Sequence, residues 1–201
     1  MHPLLKMLEG GDRRSIGRSN QAVARVLEAP ALIDVLFDGM ASDDPLLRMR
    51  CADAAEKISA ARPDLLRAHK TALLGPLARI EQQQVRWHVA PMLARLALSP
   101  SERKRVVDTL LAYTNDRSSI VRTMAMQALA DLALRDENLR PLVLRHIEEL
   151  VVIGTPAMTA RGRKLLGQLD PRRIAARARH KPPAGVHSPS YNPSHKPPLG
   201  Q

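Results

Sequence analysis

The sequence predicts an all-α protein, an α-solenoid of stacked helical pairs, and three observations predict it. The first is a helix face that returns at a nearly constant interval. Val121, Met124, Ala125, Ala128, Leu129 and Leu132 fall at i, i+3, i+4, i+7, i+8 and i+11, the spacing of side chains on one side of a helix. The same offsets return from Leu47, from Val85 and from Met158, so the faces start 38, 36 and 37 residues apart. A period of that size carried by helices alone marks stacked helical repeats. The second is composition. Aromatics make up 2% of the chain and hydrophobic residues 44%, so the core rests on Leu, Ala, Val, Ile and Met, which suits helices better than a β-sandwich. The third is a set of helix-start signals between the faces. Ser99-Pro100-Ser101-Glu102 reads as a capping box with Pro in the first turn, and Asp44-Pro45 and Thr155-Pro156 pair an N-cap residue with a first-turn Pro.

The elements follow in order. A short amphipathic segment, Pro3–Leu8, and a helix with Ile16, Val23, Ala24 and Leu27 on its apolar face form an N-terminal cap over 1–28. Repeats follow over about 31–60, 64–98, 100–134 and 137–169. Each recurring face is preceded by a partner helix: Ala31–Met40, Leu65–Ile80, Glu102–Tyr113 and Leu139–Val152. The apolar stripe of each partner is more than one hairpin can cover, so neighbours must stack. Pro76 and Pro91 lie inside helical patterns, and each is expected to kink or break its helix by removing a backbone donor. From Pro171 the composition changes. Residues 171–201 hold seven of the 16 prolines, six Lys/Arg and no Asp or Glu. Such a segment is expected to be disordered, because it has little apolar surface to offset its ordering entropy.

The net charge is +11, of which residues 1–170 carry only +5. That balance points to an acidic partner. One cysteine, Cys51, excludes an intramolecular disulfide. No signal peptide and no apolar run long enough for a membrane span is evident, so a cytoplasmic monomer without membrane contact is expected.

Paired helices of this period, with an acid in the intra-repeat turn and Val-Arg or Leu-Arg opening the second helix, resemble HEAT repeats. The residues that carry the resemblance are Asp44 with Leu47-Arg48, Glu81 with Val85-Arg86 and Asp116 with Val121-Arg122. The fourth unit departs, with Thr159 in the arginine position and no nearby acid. The resemblance covers roughly 12–169 and is similar to small bacterial HEAT-repeat proteins of unassigned activity. It implies a right-handed superhelix whose second helices line a concave, partner-binding side.

Function is read from side chains rather than from the fold. Arg48, Arg86 and Arg122 recur at one position; they form either a ladder of contacts to Asp43 or Asp44, Glu81 and Asp116, or a row of anion-binding groups. Arg86, Trp87, His88 and Arg122 are the candidate partner-binding residues, Trp being a residue type that concentrates binding energy. A protein or peptide partner held along the second-helix face is the leading expectation. The alternative is sequence-nonspecific nucleic-acid binding through Arg161, Arg163, Lys164, Arg172, Arg173, Arg177, Arg179 and Lys181. A third reading, a HEAT-like DNA glycosylase, rests on Trp87 alone, without an acidic partner. No metal-ligand spacing, nucleophile motif or phosphate-cradling Gly loop occurs, so no enzyme, metal or cofactor is expected.

Overall fold

The computed structural model describes residues 1–12 and 14–170; the segment 171–201, with the disorder expected for it, lies outside the described residues. Among the described residues there are eleven α-helices, three short 3₁₀ segments and no strand. The N-terminal part gives α1 (Pro3–Lys6) and α2 (Ser19–Glu28). Then come α3 (Ile33–Met40), α4 (Pro45–Ala61), α5 (Lys70–Leu74), α6 (Pro76–Arg79) and α7 (Gln83–Arg95). The chain continues through α8 (Pro100–Tyr113), α9 (Ser119–Arg135), α10 (Arg140–Ile153) and α11 (Pro156–Leu169).

The recurring faces explain the packing. Helices α2, α4, α7, α9 and α11 form a row in which each packs on the next, while α3, α8 and α10 pack on α4, α9 and α11. Leu47, Cys51, Ile58, Val85, Val89, Val121, Ala125 and Leu129 are buried in one continuous core. Cys51, Val89, Ala125 and Gly162 occupy one position of the repeat, and three of the four are small. At Gly162 a Cβ would stand 2.3 Å from Val151 Cγ2, so α10 and α11 approach closely there.

The start signals act as read. Ser99 and Glu102 form the reciprocal capping box. Asp44 accepts from Leu46 N and Thr155 from Met158 N, and Ser118, not read as a cap, accepts from Val121 N. Lys70 Nζ lies 2.8 Å from Glu102 Oε2, and this bond, with the Ser99 cap, holds the Glu102 carboxyl down to about 2.

Three expectations are corrected. The partner helix read over Leu65–Ile80 is a 3₁₀ segment, Pro63–Leu66, followed by α5 and α6, because Gly75-Pro76 ends one helix and starts another. Of the two outcomes expected at Pro91, the break does not occur: α7 continues past it to Arg95, with Pro91 buried. The N-terminal face is set by Ser19, Ala22 and Val26, whereas Ile16 lies before α2, 43% exposed, and Leu27 is 40% exposed.

Candidate partner-binding site

The site is built by a loop held by Arg50 of α4 beside α4 and α7. Gly10, Gly11 and Gly17 have φ of +67°, +83° and +57°, conformations that Gly adopts without steric penalty. They let residues 9–12 and 14–17 curl around the side chain of Arg50, which is only 2% exposed. Its guanidinium donates to the carbonyls of Leu8 at 2.8 Å, Asp12 at 3.1 Å and Ser15 at 3.2 Å, and to that of Gly10. A charged fork satisfied by backbone carbonyls fixes the loop as a wall. Arg50 falls in the apolar pattern of α4, and periodicity alone gives no sign of this role.

The wall borders an open cavity of about 210 Å³. Ile16, Met49 and Trp87 give its lining apolar surface, and Asp53, His88 and Arg14 are among its polar lining residues. The Trp87 and His88 rings meet edge-on, with centroids 5.7 Å apart. Asp53 Oδ2 accepts from Lys57 Nζ at 2.6 Å and from the Ser19 hydroxyl. Asp53 Oδ1 faces His88 Nε2 at 3.8 Å, beyond hydrogen-bond reach. Burial pushes the His88 pKa down, against the opposing pull of Asp53 and Glu56. Its imidazole is therefore neutral at pH 7, as the apolar walls require.

Of the residues expected at the site, Trp87 and His88 are brought together here. Arg86 is not. Its Nε donates to Ile80 O at 2.9 Å and its Nη1 reaches Asp116 Oδ2 at 2.7 Å. It lines a different, more polar depression with Glu81, Asn115 and Arg117. The carboxylate it meets is that of the following unit rather than Glu81. Arg122 Nε donates to Thr114 O at 3.1 Å. Arg48 donates to Ser42 O at 2.8 Å and to Gln82 Oε1 at 2.9 Å. The ladder is thus made chiefly of turn carbonyls. Thr159 keeps the role in the fourth unit: its hydroxyl donates to Val151 O at 3.0 Å, eight residues back, as Arg122 does to Thr114.

Arg161 Nη1 donates to Gln127 Oε1 at 2.7 Å. Arg163 and Lys164 are exposed and take part in no ion pair among the described residues. Arg172, Arg173, Arg177, Arg179 and Lys181 lie outside the described residues. Burial pushes the Cys51 thiol up to about 12, far from a nucleophile's range. Among the described residues no group of three His, Cys, Asp or Glu side chains is placed to hold a metal ion, and no helix is long and apolar enough to cross a membrane.

Sequence periodicity missed Ile16, Met49 and Asp53 as parts of the site. Met49 was legible in one respect: it precedes Trp87 by the same 38 residues that separate the two helix faces. No family model matches the chain, and no curated protein matches it. Among solved structures, the crystal structure of an engineered protein is similar, with a TM-score of 0.59 at 20% identity over 84% of this chain and 80% of that one. At that identity the likeness concerns the helical fold alone.

Proposed function

We propose that the protein is a non-enzymatic binding module of HEAT-like architecture, a right-handed helical stack that holds a protein or peptide along the row α4, α7, α9 and α11. The observation that carries this reading is the half-buried Trp87 on the wall of an open cavity of about 210 Å³. Cavities for drug-sized ligands run to ~300–1,000 Å³ and are more enclosed; this one suits a single side chain of a larger partner. The test is a displayed-peptide selection on the immobilised full chain, with the Trp87→Ala variant as counter-target. Peptides that bind the wild type and lose at least ~10-fold in affinity for the variant are expected, a hot-spot effect. Far-UV circular dichroism should show helicity unchanged. A variant that unfolds makes Trp87 a core residue and removes the site reading.

A second reading is supported by the exposed Arg163 and Lys164 at the end of the row. In this reading they and the basic residues beyond 170 bind nucleic-acid phosphates in a sequence-nonspecific, salt-dependent way.

A further inference from the structure

We propose that the Trp87 cavity takes the tyrosine side chain of an acidic peptide segment. The proposal rests on the binding-module reading and specifies its ligand.

Three observations select the chemistry. The first is Asp53. Its side chain is 9% exposed and lines the cavity beside His88, and Oδ1, which takes no hydrogen bond from the described residues, is open to solvent. That oxygen keeps contact with solvent, so a ligand hydroxyl can take the place of water on it, and a hydrogen bond to a charged acceptor is among the stronger ones. The second is the local charge. Lys57 Nζ sits 2.6 Å from the other oxygen of Asp53, and the buried Arg50 guanidinium also lines the cavity. The positive charge beside Asp53 is therefore already supplied, and a cationic ligand would crowd Lys57 and Arg50. An anionic one would meet Asp53. A neutral donor on an apolar body is left, and the sides offered by Ile16, Met49 and Trp87 suit an aromatic ring. A phenol joins the two: ring against Trp87, hydroxyl donating to Asp53 Oδ1.

The third observation is the charge along the row. Arg14 lines the cavity, with its side chain unpaired among the described residues. Asp53, Pro91, Gln127 and Lys164 follow one another at the repeat intervals of 38, 36 and 37. Arg161 is fixed against α9 by its bond to Gln127. Beyond the cavity the row therefore ends in Arg161 and Lys164. From α7 to α11 is two helix spacings, about 16–20 Å, or roughly six residues of extended peptide. A tyrosine with one acidic pair beside it and another about six residues away would meet cations at both ends.

The probe is a fluorescein-labelled peptide of about twelve residues with that layout and serine spacers, titrated against the full chain by fluorescence anisotropy. Tyrosine-to-phenylalanine replacement in the peptide should weaken binding about tenfold, because only the hydrogen bond to a charged acceptor is lost. Tyrosine-to-alanine replacement, or Trp87→Ala in the protein, should abolish it. Glutamine in place of the glutamates should weaken binding and flatten its salt dependence. Equal affinity for the tyrosine and phenylalanine peptides overturns the Asp53 contact. Equal affinity for all three overturns the proposal and leaves only attraction to a basic chain. Because the phenylalanine peptide is compared on the unaltered protein, stability of a variant does not enter. The displayed-peptide selection separates the two levels. Trp87-dependent peptides without tyrosine sink this ligand and keep the binding face, whereas no Trp87-dependent peptide at all sinks the face itself.

Discussion

Arg50 is the residue on which the site depends, because it holds the loop that walls the cavity. Its guanidinium serves four carbonyls of one loop, and Gly17 lies so close that a Cβ there would stand 2.8 Å from Arg50 Cζ. Most of that loop is exposed, so its carbonyls can return to water if the arginine is removed. Arg50→Met is therefore expected to release the loop rather than unfold the array. The expected loss of stability is about 1–3 kcal/mol, read from the urea midpoint, with tryptic cleavage after Arg14 much faster than in the wild type. An unchanged midpoint and unchanged cleavage would show that the loop is held by something else. A second residue-scale detail concerns His146. Thr114 Oγ1 donates to Leu111 O at 2.6 Å and lies 2.8 Å from His146 Nε2. With the hydroxyl proton engaged, Nε2–H must be the donor, which sets the tautomer. Burial also lowers the His146 pKa. Both His88 and His146 thus favour the fold when neutral, so their contribution is full above pH ~6.5 and is lost as pH falls from there toward their depressed values.

Helices in this protein are placed by what their neighbours allow. Gly162 shows the conflict between local and tertiary preference. In an exposed helix, Gly→Ala gains ~1 kcal/mol, but here the new methyl would meet Val151 Cγ2 at 2.3 Å. Overpacking of that kind costs about 1–3 kcal/mol. Gly162→Ala should therefore destabilise, and Val151→Ala introduced with it should recover most of the loss. Chemical denaturation of the four proteins of this double-mutant cycle measures the coupling. Additive effects would mean that α10 and α11 do not meet at this point. The two prolines make the same case. Pro76 follows Gly75 and divides α5 from α6, while Pro91 sits buried within α7, which continues past it.

At the scale of the whole molecule, charge and fold are separable. Residues 1–170 carry +5 of the +11, so the positive excess is concentrated beyond the described helices. Many of the charges on the helices are paired across units: Arg86 with Asp116, Lys70 with Glu102, Arg103 with Asp136. These pairs tie neighbouring units together. Labelled duplex DNA titrated with 1–201 and with 1–170 across a salt series should therefore show binding that falls steeply with salt and is largely lost in the shorter chain. Binding retained by 1–170 would move the phosphate contacts onto the helices. Absence of binding by either chain would remove the nucleic-acid reading.

The sequence by itself determined the helical class, the intervals between Leu47, Val85, Val121 and Met158, and the caps at Asp44, Ser99 and Thr155. Each of these is local: a face needs only its own spacing, and a cap only the next three residues. It also pointed to Trp87 and His88, because they adjoin a recurring face. What only the tertiary structure decided was which side chains share a space. Ile16 reads as a helix-face residue and is a cavity wall, since Arg50 holds the loop before α2 away from helical geometry. Arg86 reads as a site residue and is occupied by Ile80 and Asp116. Asp53, which nothing in the sequence pattern singles out, accepts from Ser19 and Lys57 and lines the same cavity as Trp87. These outcomes depend on contacts tens of residues apart, such as Ser19 with Asp53 and Arg50 with Leu8. Periodicity carries no information about such pairs, because it fixes the face of each helix but not the neighbour that covers it.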